Sequence, residues 1–291
     1  VAAGAIAPGD SVLLDAVRSI RWPARKKSPA GPAGAHLSNM LGGSAEFTEY
    51  RAYRQGDETR RIDWKLLARS NRAYIRLSND RTIVSTMMLV DASASLAYPA
   101  DSLEKWEYAR RLVLGLASAA HSTGDPVGLT VVSGNDSRRL PPRTRRGAVY
   151  DIARVLDEFE PMGSSALAPV LPTLRSVGRI AIVSDFLGDS DELLRMASHL
   201  TAAGKEIHAI HVIHADELNP PKRATLLSDP EDPTLRRPVT GETRREYLQR
   251  FGAWREQLAR DWRMAGAYFF ACVTTEPAAR AVRRIAEARN G

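Results

Sequence analysis

Residues 83–90 form an unbroken, mostly apolar and partly β-branched run, Ile-Val-Ser-Thr-Met-Met-Leu-Val, that stops at Asp91 and the spaced serines Ser93 and Ser95. A run without polar alternation is a strand buried on both faces, which belongs inside a parallel sheet covered by helices. In open α/β sheets ligands bind in the crevice beyond the carboxyl ends of such strands. A carboxylate and two hydroxyls offer hard oxygen ligands, with neither sulfur nor imidazole, and suit Mg²⁺ or Mn²⁺ better than zinc. The same residue types also cap turns, since Asp and Ser satisfy orphan backbone donors where a strand gives way to a helix.

The chain downstream repeats the pattern. Residues 102–123 place Leu103, Trp106, Ala109, Val113, Leu116 and Ala120 on one helix face that ends at Gly124. Residues 126–133 read as a second strand, Gly134-Asn135-Asp136 as a hairpin turn, and 137–140 as a short antiparallel edge strand whose arginines discourage further pairing. A helical stripe over 147–159 follows, then a loop through Ser164 and Ser165, then a helical stretch over 167–177 that Pro172 shortens. The apolar run 179–184 ends in Asp185, and a helix closed by Gly204 joins it to the run 206–213, so these two strands are expected to be parallel. Residues 214–242 are rich in Pro, Asp and Arg and read as an insertion. Tyr247, Phe251, Trp254, Leu258 and Trp262 then recur at helical steps behind Thr243 and Glu246, which have capping-box spacing. A strand over 267–273 and a helix over 276–289 with Pro277 in its first turn close the chain. The expected fold is α/β: a doubly wound, mostly parallel six-stranded sheet with one antiparallel edge strand, spanning 81–291.

A hydrophobic fraction of 44% over 291 residues is ample for a core. With 41 basic against 34 acidic residues the surface is mixed, so nucleic acid is not the expected partner. The lone Cys272 excludes an internal disulfide and lies in an apolar run, as a buried thiol does. The longest apolar stretches, 112–120 and 267–273, fall far short of the roughly 20 residues that span a bilayer. With no signal-peptide pattern at the start, a cytoplasmic protein without a transmembrane segment is expected. No Gly-x-Ser-x-Gly elbow, Walker loop or His-Glu-x-x-His is present, so no catalytic residue is nominated. A metal-dependent hydrolase is the rival reading, and it would call for more carboxylates than Asp91 and Asp185. A structural interaction domain holding no metal is the third. His208, His211 and His214 step by three along a strand, which sends successive side chains to opposite faces rather than to one zinc ion.

Before the sheet, residues 1–80 hold three parts. Leu13, Leu14, Val17 and Ile20 mark a helix over 10–22 stopped by Pro23, and Arg25, Lys26 and Lys27 start a Pro- and Gly-rich linker read as a solvated turn. From residue 42 to 76 the chain is dense in aromatic, arginine and acidic residues. Interleaved charges of this kind form ion-pair webs, here expected to dock the segment on the following domain with Phe47, Tyr53, Ile62 and Trp64 buried.

Asp91-x-Ser93-x-Ser95 with a later strand-end Asp185 resembles a von Willebrand factor A-type domain bearing a metal-ion-dependent adhesion site. The resemblance implies metal ligation by Asp91, Ser93, Ser95, Asp185 and a loop hydroxyl, which falls on Ser165 or its neighbour Ser164 where that family has threonine. Serine keeps the hydroxyl but lacks the methyl that fixes its rotamer. The run Glu46-Phe47, Arg51-x-Tyr53, Gly56-Asp57-x-x-Arg60-x-Ile62-Asp63-Trp64 and Ala68-Arg69 resembles the signature of the bacterial family labelled domain of unknown function 58. That resemblance implies association with a MoxR-type AAA+ ATPase in assembling or activating other proteins, and with the Asp91, Ser93, Ser95 and Asp185 constellation and no catalytic motif the chain is expected to be a protein-binding adaptor that uses Mg²⁺ or Mn²⁺.

Overall fold

Residues 8–23, 47–55, 57, 59, 62–78, 83–134, 136–188, 190–221, 226–228, 236–238 and 240–288 are described by the structure, a computed structural model. The chain divides into two units, a small one of Pro29–Thr82 and a large one of Val1–Ser28 with Ile83–Gly291. Helix α1 (Pro8–Val17) opens the chain and belongs to the large unit, where Leu13, Val17 and the following Ile20 and Trp22 enter the main core.

In the small unit, β1 (Phe47–Ala52) and, after helix α2 (Trp64–Ser70), β2 (Tyr74–Ser78) pair antiparallel. Asp63 organises the start of α2: its Oδ1 accepts the amides of Lys65 and Leu66 at 3.0 Å, and its Oδ2 accepts the Tyr50 hydroxyl at 2.8 Å. Arg51 pairs with Asp57 at 2.8 Å, and this bond, helped by the Arg54 amide, holds the Asp57 carboxyl below its ordinary pKa. Tyr53 and Ile62 are half-buried, whereas Trp64, expected inside, is 61% exposed. The reason is that α2 buries none of its seven residues, so its caps at Asp63 and at left-handed Asn71 hold it rather than an apolar face. Glu46, Gly56 and Arg60 of the signature, and Arg25, Lys26 and Lys27, lie outside the described residues.

The large unit runs β3 (Thr86–Asp91), α3 (Glu104–His121), β4 (Val127–Ser133), β5 (Asp136–Arg143), α4 (Ala148–Asp157), β6 (Arg179–Ser184), α5 (Ser190–Ala202), β7 (Glu206–Ile213) and α6 (Ala215–Leu218). It continues through a hairpin of β8 (Leu226–Ser228) and β9 (Arg236–Pro238) to α7 (Gly241–Met264), β10 (Tyr268–Val273) and α8 (Ala278–Glu287). The six-stranded sheet has the order β10-β7-β6-β3-β4-β5, all neighbours parallel except β4 and β5. This is the doubly wound, mostly parallel arrangement expected, with the antiparallel strand at the edge. Every residue of β3, β6 and β7 is buried, as unalternated apolar runs require. Alternation instead distributes them between two cores. Met88, Val90, Ala181 and Val183 face one side with Val113, Leu116 and Val282, while Met87, Leu89, Ile180 and Ile182 face the other with Leu171, Ala197 and Trp262. Among the described residues no helix is long and apolar enough to cross a membrane.

Departures from expectation have local causes. The edge strand extends through Pro141 and Pro142 because an edge has no second ladder to break. Helix α7 starts earlier than Thr243, since Thr240 is its cap and Thr243 closes the capping box with it, in place of the expected Thr243 and Glu246. Between 214 and 242 the structure holds α6 and the hairpin of β8 and β9.

At the amino ends of the strands sits a buried polar cluster. The Arg179 guanidinium meets Glu206 at 3.0 Å, Asp125 at 3.4 Å and the Pro23 carbonyl at 2.9 Å, and stacks over Trp22 with 4.5 Å to the ring centroid. Asp125 in turn accepts the Val84 amide at 2.9 Å.

Two glycines mark contacts too close for a side chain. A Cβ on Gly128 would lie 2.6 Å from the Leu140 carbonyl oxygen where β5 bulges, and one on Gly115 would lie 2.6 Å from Val282 Cγ2 where α8 meets α3. Gly128→Ala and Gly115→Ala are each expected to cost about 1–3 kcal/mol in urea unfolding. Adding Val282→Ala relieves the second and leaves the first untouched, because the obstacle at Gly128 is backbone. Equal rescue of both would contradict this packing.

Candidate functional site

Strand β3 lies between β4 and β6, so chain order reverses at its carboxyl end and opens a crevice there. Asp91 ends β3 and Asp185 follows the end of neighbouring β6, which brings the two carboxylates over one crevice as their positions after apolar runs implied. Asp91 is buried: Oδ1 accepts the Ser93 amide at 2.9 Å and Oδ2 accepts the Ser184 hydroxyl at 2.6 Å. Burial, then the nearby Asp185 charge, pushes its pKa up against these hydrogen bonds. Among the described residues no cationic side chain lies within ion-pair distance of Asp91.

Ser93 and Ser95 are both buried with their hydroxyl oxygens 3.0 Å apart. Ser93 caps a 3-10 turn over Ala94–Ala97, and the loop at 162–163 is stitched to the motif by the Met162 amide on the Ala92 carbonyl and the Ala94 amide on the Gly163 carbonyl. Ser165 belongs to the same loop region, but its hydroxyl donates to the Val132 carbonyl at 2.8 Å instead of meeting the other hydroxyls.

Lys105, which no sequence signal singled out, reaches the crevice from α3. Its Nζ lies 2.8 Å from Asp185 Oδ2 and 2.9 Å from Glu217 Oε1, and both Lys105 and Asp185 are almost fully buried. Burial opposes the charge on Lys105, yet Asp185 and then Glu217 outweigh it and raise the amine's pKa, so it stays protonated. Glu217 is itself fixed in α6, where it also accepts the His214 amide. Beyond Asp185 the chain turns sharply: Phe186 adopts φ 56°, in the left-handed region, and its buried ring packs on Trp262 and His211.

The three histidines diverge as their spacing implied. His208 packs with Trp22 and Tyr268 on one face, His211 with Phe186 and Trp254 on the other, and His214 caps α6. Burial pushes His211 down to about 3, so its ring is neutral at ordinary pH. Among the described residues no three His, Cys, Asp or Glu side chains are grouped to hold a metal. The crevice offers a different donor set, one buried carboxylate without a counter-cation and two hydroxyls, and Asp91, Ser93 and Ser95 fit a hard divalent cation. Asp185 is shared with Lys105 and the Ser165 hydroxyl is engaged with backbone.

Residues 49–257 match the family described as Protein of unknown function DUF58. Uncharacterized proteins of Mycobacterium tuberculosis and Mycobacterium bovis are each 27% identical over 292 residues, covering 97% of this chain and 92% of theirs. Among solved structures, an aerotolerance-related membrane protein from Bacteroides fragilis is similar at TM-score 0.47 and 16% identity, over 69% of this chain and 96% of that one. The conserved hypothetical protein BatB from Bacteroides thetaiotaomicron is similar at TM-score 0.45 and 17% identity, with the same coverage.

Proposed function

The chain belongs to the DUF58 family, and we propose that it is a protein-binding adaptor whose sheet-end crevice takes one Mg²⁺ or Mn²⁺ on Asp91, Ser93 and Ser95. The carrying observation is Asp91, a buried carboxylate with no counter-cation among the described residues, beside two hydroxyls 3.0 Å apart. A cation bound there supplies an electrophilic position that a carboxylate of a partner protein completes. Lys105 holds Asp185 in place and neutralises it, so Asp91 is left as the carboxylate that answers the ion. Among the described residues the Ser93 hydroxyl meets the Ser95 hydroxyl and the Asp91 carboxylate, with no imidazole or amine bonded to either serine as a general base, which supports binding over hydrolysis. A MoxR-type AAA+ ATPase in the cytoplasm, by family resemblance, is the partner, and assembly or activation of further proteins is the outcome.

Titration of the full chain with Mn²⁺, followed by calorimetry and electron paramagnetic resonance, is expected to show one site that Asp91→Ala weakens at least about tenfold, roughly the 1.4 kcal/mol of one lost favourable contact. Copurification with the ATPase is expected to fall in chelator and with Ser93→Ala. Equal Mn²⁺ binding by Asp91→Ala, or copurification indifferent to chelator, would overturn the proposal.

A further inference from the structure

Among the described residues strand β10 is the last in the sheet, paired with β7 alone. In a parallel ladder alternate residues turn both backbone groups to the same neighbour. The Thr274 amide donates to Ile213 on the β7 side, whereas the Ala271 carbonyl accepts Arg284 at 2.9 Å and the Val273 carbonyl accepts the Glu276 amide. Odd-numbered residues therefore point outward, and Phe269 and Ala271 present their backbone to the open edge. Three consecutive residues, Phe269, Phe270 and Ala271, line one groove of about 590 Å³ against α7.

The far wall of that groove is built from one stripe of α7. Gly252 and Ala259 leave room, and a Cβ at Gly252 would meet no atom within 4 Å. Arg255, Arg260 and Arg263 on the helix, with Arg284 across the groove, stand against the single glutamate Glu256. Arg284 is paired with Glu276 at 2.8 Å and Arg260 with Glu256 at 3.8 Å, whereas among the described residues no carboxylate lies within ion-pair distance of Arg255 or Arg263. Two buried nitrogens at the groove also have no hydrogen-bond partner among the described residues, Arg255 Nε and Nδ1 of the almost fully buried His211.

We infer that this groove docks an extended, acidic peptide segment of a partner protein, which adds beside β10 as a further strand and sets its carboxylates against Arg255 and Arg263. An open edge supplies main-chain bonding, and the unmatched arginines supply selection for acidic side chains. Arg284, now on the Ala271 carbonyl, acts as the guard of the edge and moves to a peptide carboxylate when the strand adds. The groove neighbours the carboxyl-end crevice through His211, which packs on Phe186 next to Asp185, but the proposed contacts are made by the β10 edge and the α7 arginines and call for no metal.

Fluorescence anisotropy on the full chain tests this with a labelled octapeptide of alternating Glu and Thr as probe. Binding is expected to weaken with salt and to fall at least about tenfold in Arg255→Ala/Arg263→Ala, as for buried charged contacts at interfaces. Gly252→Trp, which fills the groove where the helix has open space, is expected to reduce binding similarly while thermal melting stays at the wild-type temperature. A control peptide with Pro in place of Thr keeps the charge but cannot join a ladder, and is expected to bind at least about tenfold more weakly. Undetectable probe binding at millimolar concentration, equal binding of the proline peptide, or indifference to both variants would overturn the inference. So would an octameric oligothymidylate that binds more tightly than the probe, which would make the groove a general polyanion surface.

Discussion

Lys105→Met lowers the melting temperature of the large unit by about 10 °C. The substitution keeps the length and apolar stem of the side chain but leaves Asp185 buried with its charge unanswered, and breaking a buried pair in this way costs about 3–5 kcal/mol. For a unit of this size each kcal/mol moves the transition by about 2–4 °C. Because the folded-state pKa of Lys105 is raised, its contribution is full below the ordinary lysine value and disappears only as pH rises through the higher folded one. Titration of Lys105 itself therefore adds no pH dependence to the wild-type stability between pH 6 and 8. Adding Asp185→Asn removes the stranded charge and recovers most of the stability, which a circular-dichroism melt of the four variants in the cycle measures. If the crevice takes a divalent cation as proposed, millimolar Mg²⁺ raises the melting temperature of Lys105→Met by more than that of wild type. A loss below about 1 kcal/mol, the level of an exposed pair, would contradict the buried pairing described.

The second large effect lies at the other end of the sheet. Arg179→Met removes a fully buried guanidinium from Glu206, Asp125 and the Pro23 carbonyl together, and about 3–5 kcal/mol or more is expected to go with it. Arg179→Lys does not restore the cluster, because a single ammonium cannot present a fork to two carboxylates and a carbonyl at once. The pH dependence identifies the cause. Burial already raises the Asp125 pKa, with the Val84 amide and Arg179 acting against it. Without the guanidinium that carboxyl rises further and takes up a proton more readily, so its penalty is present above the folded pKa and eases as pH falls through it. The difference between Arg179→Met and wild type is thus expected to shrink from pH 7.5 to pH 5. A constant difference would assign the loss to packing against Trp22 alone.

How much of this was legible in sequence depended on where each signal is stored. Strands β6 and β7 begin and end where their apolar runs do, because an interior parallel strand is specified by continuous burial. The meeting of Asp91 and Asp185 was legible for the same reason, since both directly follow such runs. Lys105 was not. Its partners lie 80 and 112 residues away, and locally it reads as one more polar residue on the flank of a helix stripe. The turned-away hydroxyl of Ser165 depends on how its loop packs at the end of β4, which spacing does not encode. The groove beside β10 was equally hidden, because being the last strand is a property of sheet order rather than of residues 268–273.

The polar cluster at Arg179 also decides how the chain can be divided. Pro23 is tied to Arg179, Arg179 to Asp125, and Asp125 to Val84, so the chain leaves the large unit and returns to it through one chain of contacts at the same end of the sheet. Everything between those two points is topologically an insertion in a domain that begins before it and resumes after it. A truncation starting near residue 81 would strip Leu13, Val17, Ile20 and Trp22 from the core. An internal excision that joins Pro23 to Val84 by a short linker keeps that core whole, and closing a shorter loop carries only a small entropic term. The boundary between the two units is therefore a pair of cuts, and only a chain divided at both can report what each unit does alone.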